Sequence, residues 1–100
     1  MLRIKLFCAG GMSTSILVTK MKKAAESRGL DVEIGAYPES TIDTQTNECD
    51  VALLGPQVRY MLAQAKEICK PKEIPVDVIS MQDYGMMNGE KVLDFALSLL

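Results

Sequence analysis

Apolar positions along this chain recur at two alternating periods, and the alternation predicts an α/β fold. Leu2, Ile4 and Leu6 alternate with Arg3 and Lys5, the period-two pattern of a strand over residues 2–7. Leu17, Met21, Ala24 and Ala25, flanked by Val18, then recur at helical spacing over residues 13–28. Lys20, Lys22 and Lys23 lie off that stripe and read as a solvated face, and Gly29 supplies a C-terminal stop. Residues 32–36 form a second strand, closed by Pro38. Segment 39–48 is polar and weakly patterned, compatible with either a short helix or a loop. Val51-Ala52-Leu53-Leu54 is a continuous apolar run, as in a strand covered on both faces. Gly55-Pro56 turns into a helix, with proline at a favoured first-turn position. Its buried face is Val58, Met61, Leu62, Ala65, Ile68 and Cys69, and Pro71 ends it. A fourth strand spans 76–80 and a loop carries Tyr84-Gly85-Met86-Met87. A last helix, opened by Asn88 or Gly89, shows the stripe Val92, Phe95, Ala96, Leu99 and Leu100.

Strands that alternate with helices imply a parallel sheet with helices on both faces. The expectation is one domain, residues 1–100, with four parallel strands in the flavodoxin-like order 2-1-3-4. That order places the first strand inside the sheet and its carboxyl end near the switch point where open α/β sheets bind ligands.

Composition narrows the chemistry. The 48% apolar content is ordinary for a globular protein, and a net charge of −2 lacks the basic footprint of a nucleic-acid binder. Apolar runs are short and broken by charge or glycine, so no membrane insertion is expected. The first residues read as a strand and not as a signal peptide. Three cysteines without paired spacing suit a reducing cytosol. Histidine is absent, which excludes a histidine base, a Ser-His-Asp triad and a histidine-built zinc site within this chain. No metal or other cofactor is called for.

The run Leu6-Phe7-Cys8-Ala9-Gly10-Gly11-Met12-Ser13-Thr14-Ser15 carries the candidate chemistry. A cysteine ends the first strand, two glycines allow close backbone approach, and three hydroxyl residues lead into a helix. A helix N-terminus offers unpaired N–H groups and the positive end of the macrodipole, which favour an anion and favour a thiolate over a thiol. The backbone from Ala9 through Gly10, Gly11, Met12, Ser13 and Thr14 to Ser15 is the candidate phosphate cradle, with Cys8 as nucleophile. The hydroxyls of Ser13, Thr14 and Ser15 serve equally as helix caps. The run lacks the lysine of an ATP-binding loop and the G-x-G-x-x-G of a dinucleotide site.

The run is similar to the loop of low-molecular-weight tyrosine phosphatases, which is a cysteine, five residues, an arginine and a hydroxyl residue. Counting from Cys8 puts Thr14 at the arginine position and Ser15 at the hydroxyl position. An arginine there would clamp the phosphoryl group in a bidentate manner. Without it, and without histidine, the loop suits accepting and holding a phosphoryl group better than hydrolysing it. Together with Val51-Ala52-Leu53-Leu54-Gly55-Pro56-Gln57 and Tyr84-Gly85, the motif resembles the enzyme IIB component of the bacterial phosphotransferase system, of the lactose/cellobiose (diacetylchitobiose) class. The resemblance spans essentially the whole chain. It implies a cytoplasmic phosphotransferase that meets the membrane through a partner. Its cysteine takes a phosphoryl group from a phosphohistidine of the IIA protein and passes it to a β-disaccharide or β-glucoside at the membrane permease IIC. A small phosphatase-like hydrolase and a thiol redox module are the alternatives.

Gly55, Pro56 and Gln57 follow the third strand and should reach the same sheet edge as Cys8. Tyr84, after the fourth strand, should reach it too. These residues and Met87 are candidates for a site wall or partner contact, and equally for simple turns. Seven methionines are many for 100 residues. Met12, Met86 and Met87 are expected to form a soft apolar rim around Cys8, suited to repacking against different partners. Cys49 and Cys69 read as structural, and Asp83 as a solvated loop carboxylate.

Overall fold

The computed structural model describes residues 1–9 and 12–100, with Met12 and Ser13 described by backbone alone. Its centre is a parallel sheet of β1 (Leu2–Cys8), β2 (Val32–Pro38), β3 (Val51–Leu54) and β4 (Val76–Val78), in the order β2-β1-β3-β4. The expected topology is therefore the observed one. Helices α1 (Met12–Ser27), α2 (Ile42–Gln45), α3 (Leu62–Cys69), α4 (Met81–Gly85) and α5 (Gly89–Ser98) connect and cover the strands.

Period two along the central strands builds two cores. Ile4 and Leu6 of β1, with Val51 and Leu53 of β3, face a layer made by α1 and α5, including Leu17, Met21, Val92 and Ala96. Phe7, with Ala52 and Leu54 of β3, faces the opposite layer, which holds Ile42, Val58, Ala65 and Cys69. Lys5 shares this second face and is buried. Its ammonium donates to the Gln45 backbone oxygen at 2.9 Å and to Gln45 Oε1 at 3.1 Å, and lies 5.2 Å from the Tyr37 ring centre. Hydrogen bonds and an aromatic face thus replace the water that a buried charge loses. Nothing in the alternation of residues 2–6 announces this, because Gln45 arrives from a distant helix.

Helix α1 carries the expected stripe, and Gly29, at φ +67, closes it in the left-handed conformation that glycine adopts most cheaply. Segment 39–48 forms short 3-10 turns around α2.

Two expectations need correction. The helix expected from Pro56 onward is a 3-10 turn over Pro56–Met61, broken at Val58 (φ −117°, ψ 25°), and only then α3. Pro56 and Val58 are both buried, and residues two apart do not share a face of an α-helix. The kink lets both reach the core and leaves Gln57, Arg59 and Tyr60 exposed. The loop expected over residues 81–88 contains α4. Its signal is in the sequence: Ser80-Met81-Gln82-Asp83 has a cap residue followed three positions later by an acid, and Ser80 Oγ accepts from the Asp83 N–H at 3.1 Å. Asn88 caps α5 in the same way, accepting from the Lys91 N–H, so Gly89 is its first helical residue. Leu93, absent from the expected stripe of α5, is fully buried, whereas Leu100 is exposed.

Asp50 joins the start of β3 to β1. Its Oδ2 accepts from the Arg3 backbone N–H at 2.8 Å and from Arg3 Nε at 3.4 Å. The backbone hydrogen bond lowers the Asp50 pKa, desolvation partly opposes it, and the guanidinium adds to the lowering. A depressed carboxylate pKa stabilises the fold above the ordinary value of about 3.9 and stops doing so as the pH falls through the depressed one. Asp50→Asn is therefore expected to lower stability at pH 7, with the difference vanishing in acid. Urea titrations at pH 7 and pH 3 check this, and an equal loss at both would contradict it.

Candidate functional site

Because the strands are parallel, the carboxyl ends of β1, β3 and β4 share one edge of the sheet, and Cys8 and Gly55 lie there. Cys8 is the last residue of β1, opposite Pro38 of β2, and only 5% exposed. Gly55 follows β3 and donates its N–H to the Phe7 carbonyl at 2.8 Å, extending the ladder to the position beside Cys8. A side chain at Gly55 would come within 3.5 Å of Cys8 Cβ and 2.9 Å of Gln57 Oε1, so Gly55 allows both to close in on one point. The 16-residue α1 begins at Met12, so the N–H groups of its first turn, which no helical carbonyl can satisfy, follow Cys8 by four residues. Gly10 and Gly11, expected in the cradle, lie outside the described residues, as do the side chains of Met12 and Ser13. Ala9 and Ser15 are exposed.

Thr14 is buried, and its Oγ1 lies 2.7 Å from the Tyr84 hydroxyl, with both groups out of solvent. Helix α4 makes this contact possible: the Ser80 cap starts it and the Tyr84 N–H closes on the Ser80 carbonyl at 3.0 Å. The ring of Tyr84 also forms a wall of a cleft of about 520 Å³, shared with Pro56, Gln57, Arg59, Tyr60 and Met81. The sequence reading placed Pro56, Gln57 and Tyr84 together but missed Arg59, Tyr60 and Met81. The kink at Val58 turns the first two outward, and the start of α4 presents Met81. Arg59 Nη1 approaches Met81 Sδ at 3.6 Å. Met87 is elsewhere: at φ 52 it packs against the α1–α5 core and lines a different hollow, beside Lys20 and Lys23. Met86 is exposed. Among the described residues, therefore, Met81 is the methionine on the cleft.

The three cysteines are free and differ in setting. Burial pushes the Cys49 thiol up to about 11, while its Sγ donates to the Val51 carbonyl at 3.0 Å. Burial raises Cys69 as well. Both are therefore thiols near neutral pH, and the nucleophile is the thiolate. Asp83 lines a small apolar hollow with Val78, Ile79 and Val92, away from the cleft. Among the described residues, no three His, Cys, Asp or Glu side chains assemble a metal site, and no helix is long and apolar enough to cross a membrane.

This geometry agrees with what the chain is similar to. The family described as PTS system, Lactose/Cellobiose specific IIB subunit, matches residues 3–95. The chain belongs to this family. It is a IIB subunit of lactose/cellobiose type, a phosphotransferase component of a sugar phosphotransferase system. The galactose-specific EIIB component of Lactococcus lactis subsp. cremoris is 49% identical over 102 residues, covering 97% of this chain and 94% of that one. The oligo-beta-mannoside-specific EIIB component of Bacillus subtilis is 40% identical over 100 residues, covering 100% and 97%. The solution structure of a cellobiose-specific IIB component from Borrelia burgdorferi superposes with a TM-score of 0.81 at 43% identity, covering 98% and 90%. The lactose-specific IIB domain of Streptococcus pneumoniae, at 21% identity and a TM-score of 0.85, shares the fold, covering 98% of this IIB chain and 96% of its own.

Proposed function

We propose that Cys8 is the phosphoryl acceptor of this IIB subunit, and that residues 1–100 act as one cytoplasmic IIB domain. The observation that carries the reading is position: Cys8 ends a central strand beside Gly55, four residues before a long helix begins, whereas burial holds Cys49 and Cys69 as thiols. The donor is the phosphohistidine of a IIA protein. The Cys8 thiolate attacks phosphorus, an S–P bond forms as the N–P bond breaks, and the imidazole leaves with the electron pair and takes up a proton. In the second transfer a hydroxyl of a β-disaccharide or β-glucoside, held by the membrane permease IIC, attacks phosphorus. The S–P bond then breaks, thiolate is regenerated, and the hydroxyl proton passes to a base or to solvent. The backbone from Ala9 to Ser15, with Gly10, Gly11, Met12 and Ser13, is the proposed cradle for the phosphoryl oxygens. Its N–H groups and the α1 dipole offset a phosphocysteine charge of about −1.5 to −2.

The absence of arginine at position 14 favours relay over hydrolysis. Intact-mass measurement after incubation with phosphorylated IIA, followed by site mapping, tests the assignment. A phosphoryl group on Cys8 supports it, and turnover of p-nitrophenyl phosphate without stable labelling would favour the phosphatase-like alternative.

The cleft beside Tyr84 is proposed as the partner-facing wall. Arg59 there is an exposed cation on the face that meets a phosphoryl-bearing donor. Charges on an interface rim act mainly on association and its salt dependence. Arg59→Glu is expected to raise KM for phosphorylated IIA about tenfold, to leave the rate at saturating donor within twofold, and to flatten the salt dependence. An unchanged KM with an unchanged salt slope would remove Arg59 from the docking face.

A further inference from the structure

We propose that Tyr84 is a positioning residue for phosphoryl transfer, acting through Thr14 to hold the first turn of α1 in register with Cys8. The proposal rests on the reading of Cys8 as acceptor. Thr14 occupies the sixth position after Cys8, where a phosphatase-type loop presents its arginine to the phosphoryl group. Here that position is turned inward: Thr14 is 2% exposed, and its hydroxyl is 2.7 Å from a tyrosine hydroxyl seventy residues away in sequence. The end of the loop is therefore tied to α4, across the edge of the sheet.

Both sides of this bond are seated in the same core, which also holds Tyr84. Thr14 is on α1, whose Leu17, Val18 and Met21 are fixed in the core. Tyr84 is buried at the end of a chain of local bonds: the Ser80 cap, the Tyr84 N–H on the Ser80 carbonyl, and the Asn88 N–H on the Asp83 carbonyl at 2.9 Å. The hydroxyl pair joins two rigid supports, and the loop between Cys8 and α1 spans only Ala9, Gly10 and Gly11. The first turn of α1 is the described end of that short connection, and Thr14 sits in it, so what anchors Thr14 places the N–H groups of that turn relative to Cys8. Transfer rates are sensitive to such placement, because donors must already be aimed where charge develops. Tyr84 also lines the cleft with Arg59 and Tyr60, so one residue borders both that cleft and the anchored turn.

Tyr84→Phe keeps the ring and removes the hydroxyl, and Thr14→Val removes the other half. Each variant is expected to lower the rate of Cys8 phosphorylation at saturating phosphorylated IIA about tenfold, with KM within twofold. The double variant is expected to be no slower than either single one, as for two groups that act through a single bond. A second measurement needs no partner. Iodoacetamide labelling mapped by peptide is expected to be at least threefold faster at Cys8 in each variant and unchanged at Cys49 and Cys69. A general loss of stability would raise labelling at all three cysteines. Wild-type transfer and labelling rates in Tyr84→Phe, multiplicative effects in the double variant, or equal acceleration at all three cysteines would each overturn the proposal. If wild-type protein carries its phosphoryl group elsewhere than Cys8, the functional reading fails, and the labelling selectivity still decides whether Tyr84 positions the loop.

Discussion

Cys8→Ala is expected to take up no phosphoryl group from phosphorylated IIA, with labelling at least a thousandfold below that of the wild-type chain. Among the described residues, the other two cysteines are not placed to substitute. Cys49 lies in the core layer opposite α1, its thiol is pushed up to about 11 by burial, and its Sγ is engaged with the Val51 carbonyl. Cys69 is buried in that same layer and shifted in the same direction for the same reason. Histidine, the other residue that commonly carries a transferable phosphoryl group, is absent from the sequence. The substitution removes only a sulfur atom at the edge of the sheet, and the ladder on both sides of it is backbone: Cys8 in register with Pro38, and the Gly55 N–H on the Phe7 carbonyl. The variant should therefore fold, with a stability change near 1 kcal/mol, the scale of a small loss of buried volume. Intact mass after incubation with the donor, alongside a thermal melt, checks both halves. Undiminished labelling of a folded Cys8→Ala chain would remove Cys8 from the mechanism.

Gly89→Ala is expected to be the most damaging conservative change to the fold, costing about 3 kcal/mol and lowering the urea midpoint by about 1–2 M. Helix propensity alone gives the opposite sign, since alanine is favoured over glycine within a helix by about 1 kcal/mol. Packing decides the matter. A Cβ at Gly89 would lie 2.5 Å from the Lys20 carbonyl carbon, 2.7 Å from the Lys20 oxygen and 2.7 Å from the Met21 nitrogen. These are backbone atoms of α1, which cannot swing aside as a long side chain would. Helices α1 and α5 would have to separate, and α1 is the helix whose first turn follows Cys8. Gly85, at the end of α4, is the matched control: a Cβ there meets nothing within 4 Å. Gly85→Ala should be neutral or stabilising by up to about 1 kcal/mol. Denaturant titrations of the two variants separate propensity from packing, and equal effects would contradict the argument.

The strands β1 and β3 and the helices α1 and α5 were legible in the sequence, while the strand order followed from the flavodoxin-like expectation. Those elements rest on local pattern: period-two alternation in β1, the stripe from Leu17 to Ala25, and the unbroken run Val51–Leu54. Where the reading failed, a local signal competed with a distant one. Pro56 invites a helix at once, but the core draws both Pro56 and Val58 inward and bends the chain into a 3-10 turn. The cap Ser80 and the acid Asp83 did announce α4, yet the glycine and methionines that follow looked like loop chemistry. Met87 was expected beside Cys8 because it follows the fourth strand, but α4 carries the chain past the cleft before Met87 is reached.

The class of fold and the family could be read along the chain, because hydrophobic period and short motifs are properties of neighbouring residues. Tertiary structure alone decided that Thr14 faces Tyr84, that Arg59 and Tyr60 open onto the same cleft, that Lys5 is buried on Gln45, and that Gly89 must have no side chain. Each of these joins residues separated by tens of positions. Their meeting depends on how helices settle on the two faces of the sheet, which no periodicity within one segment encodes.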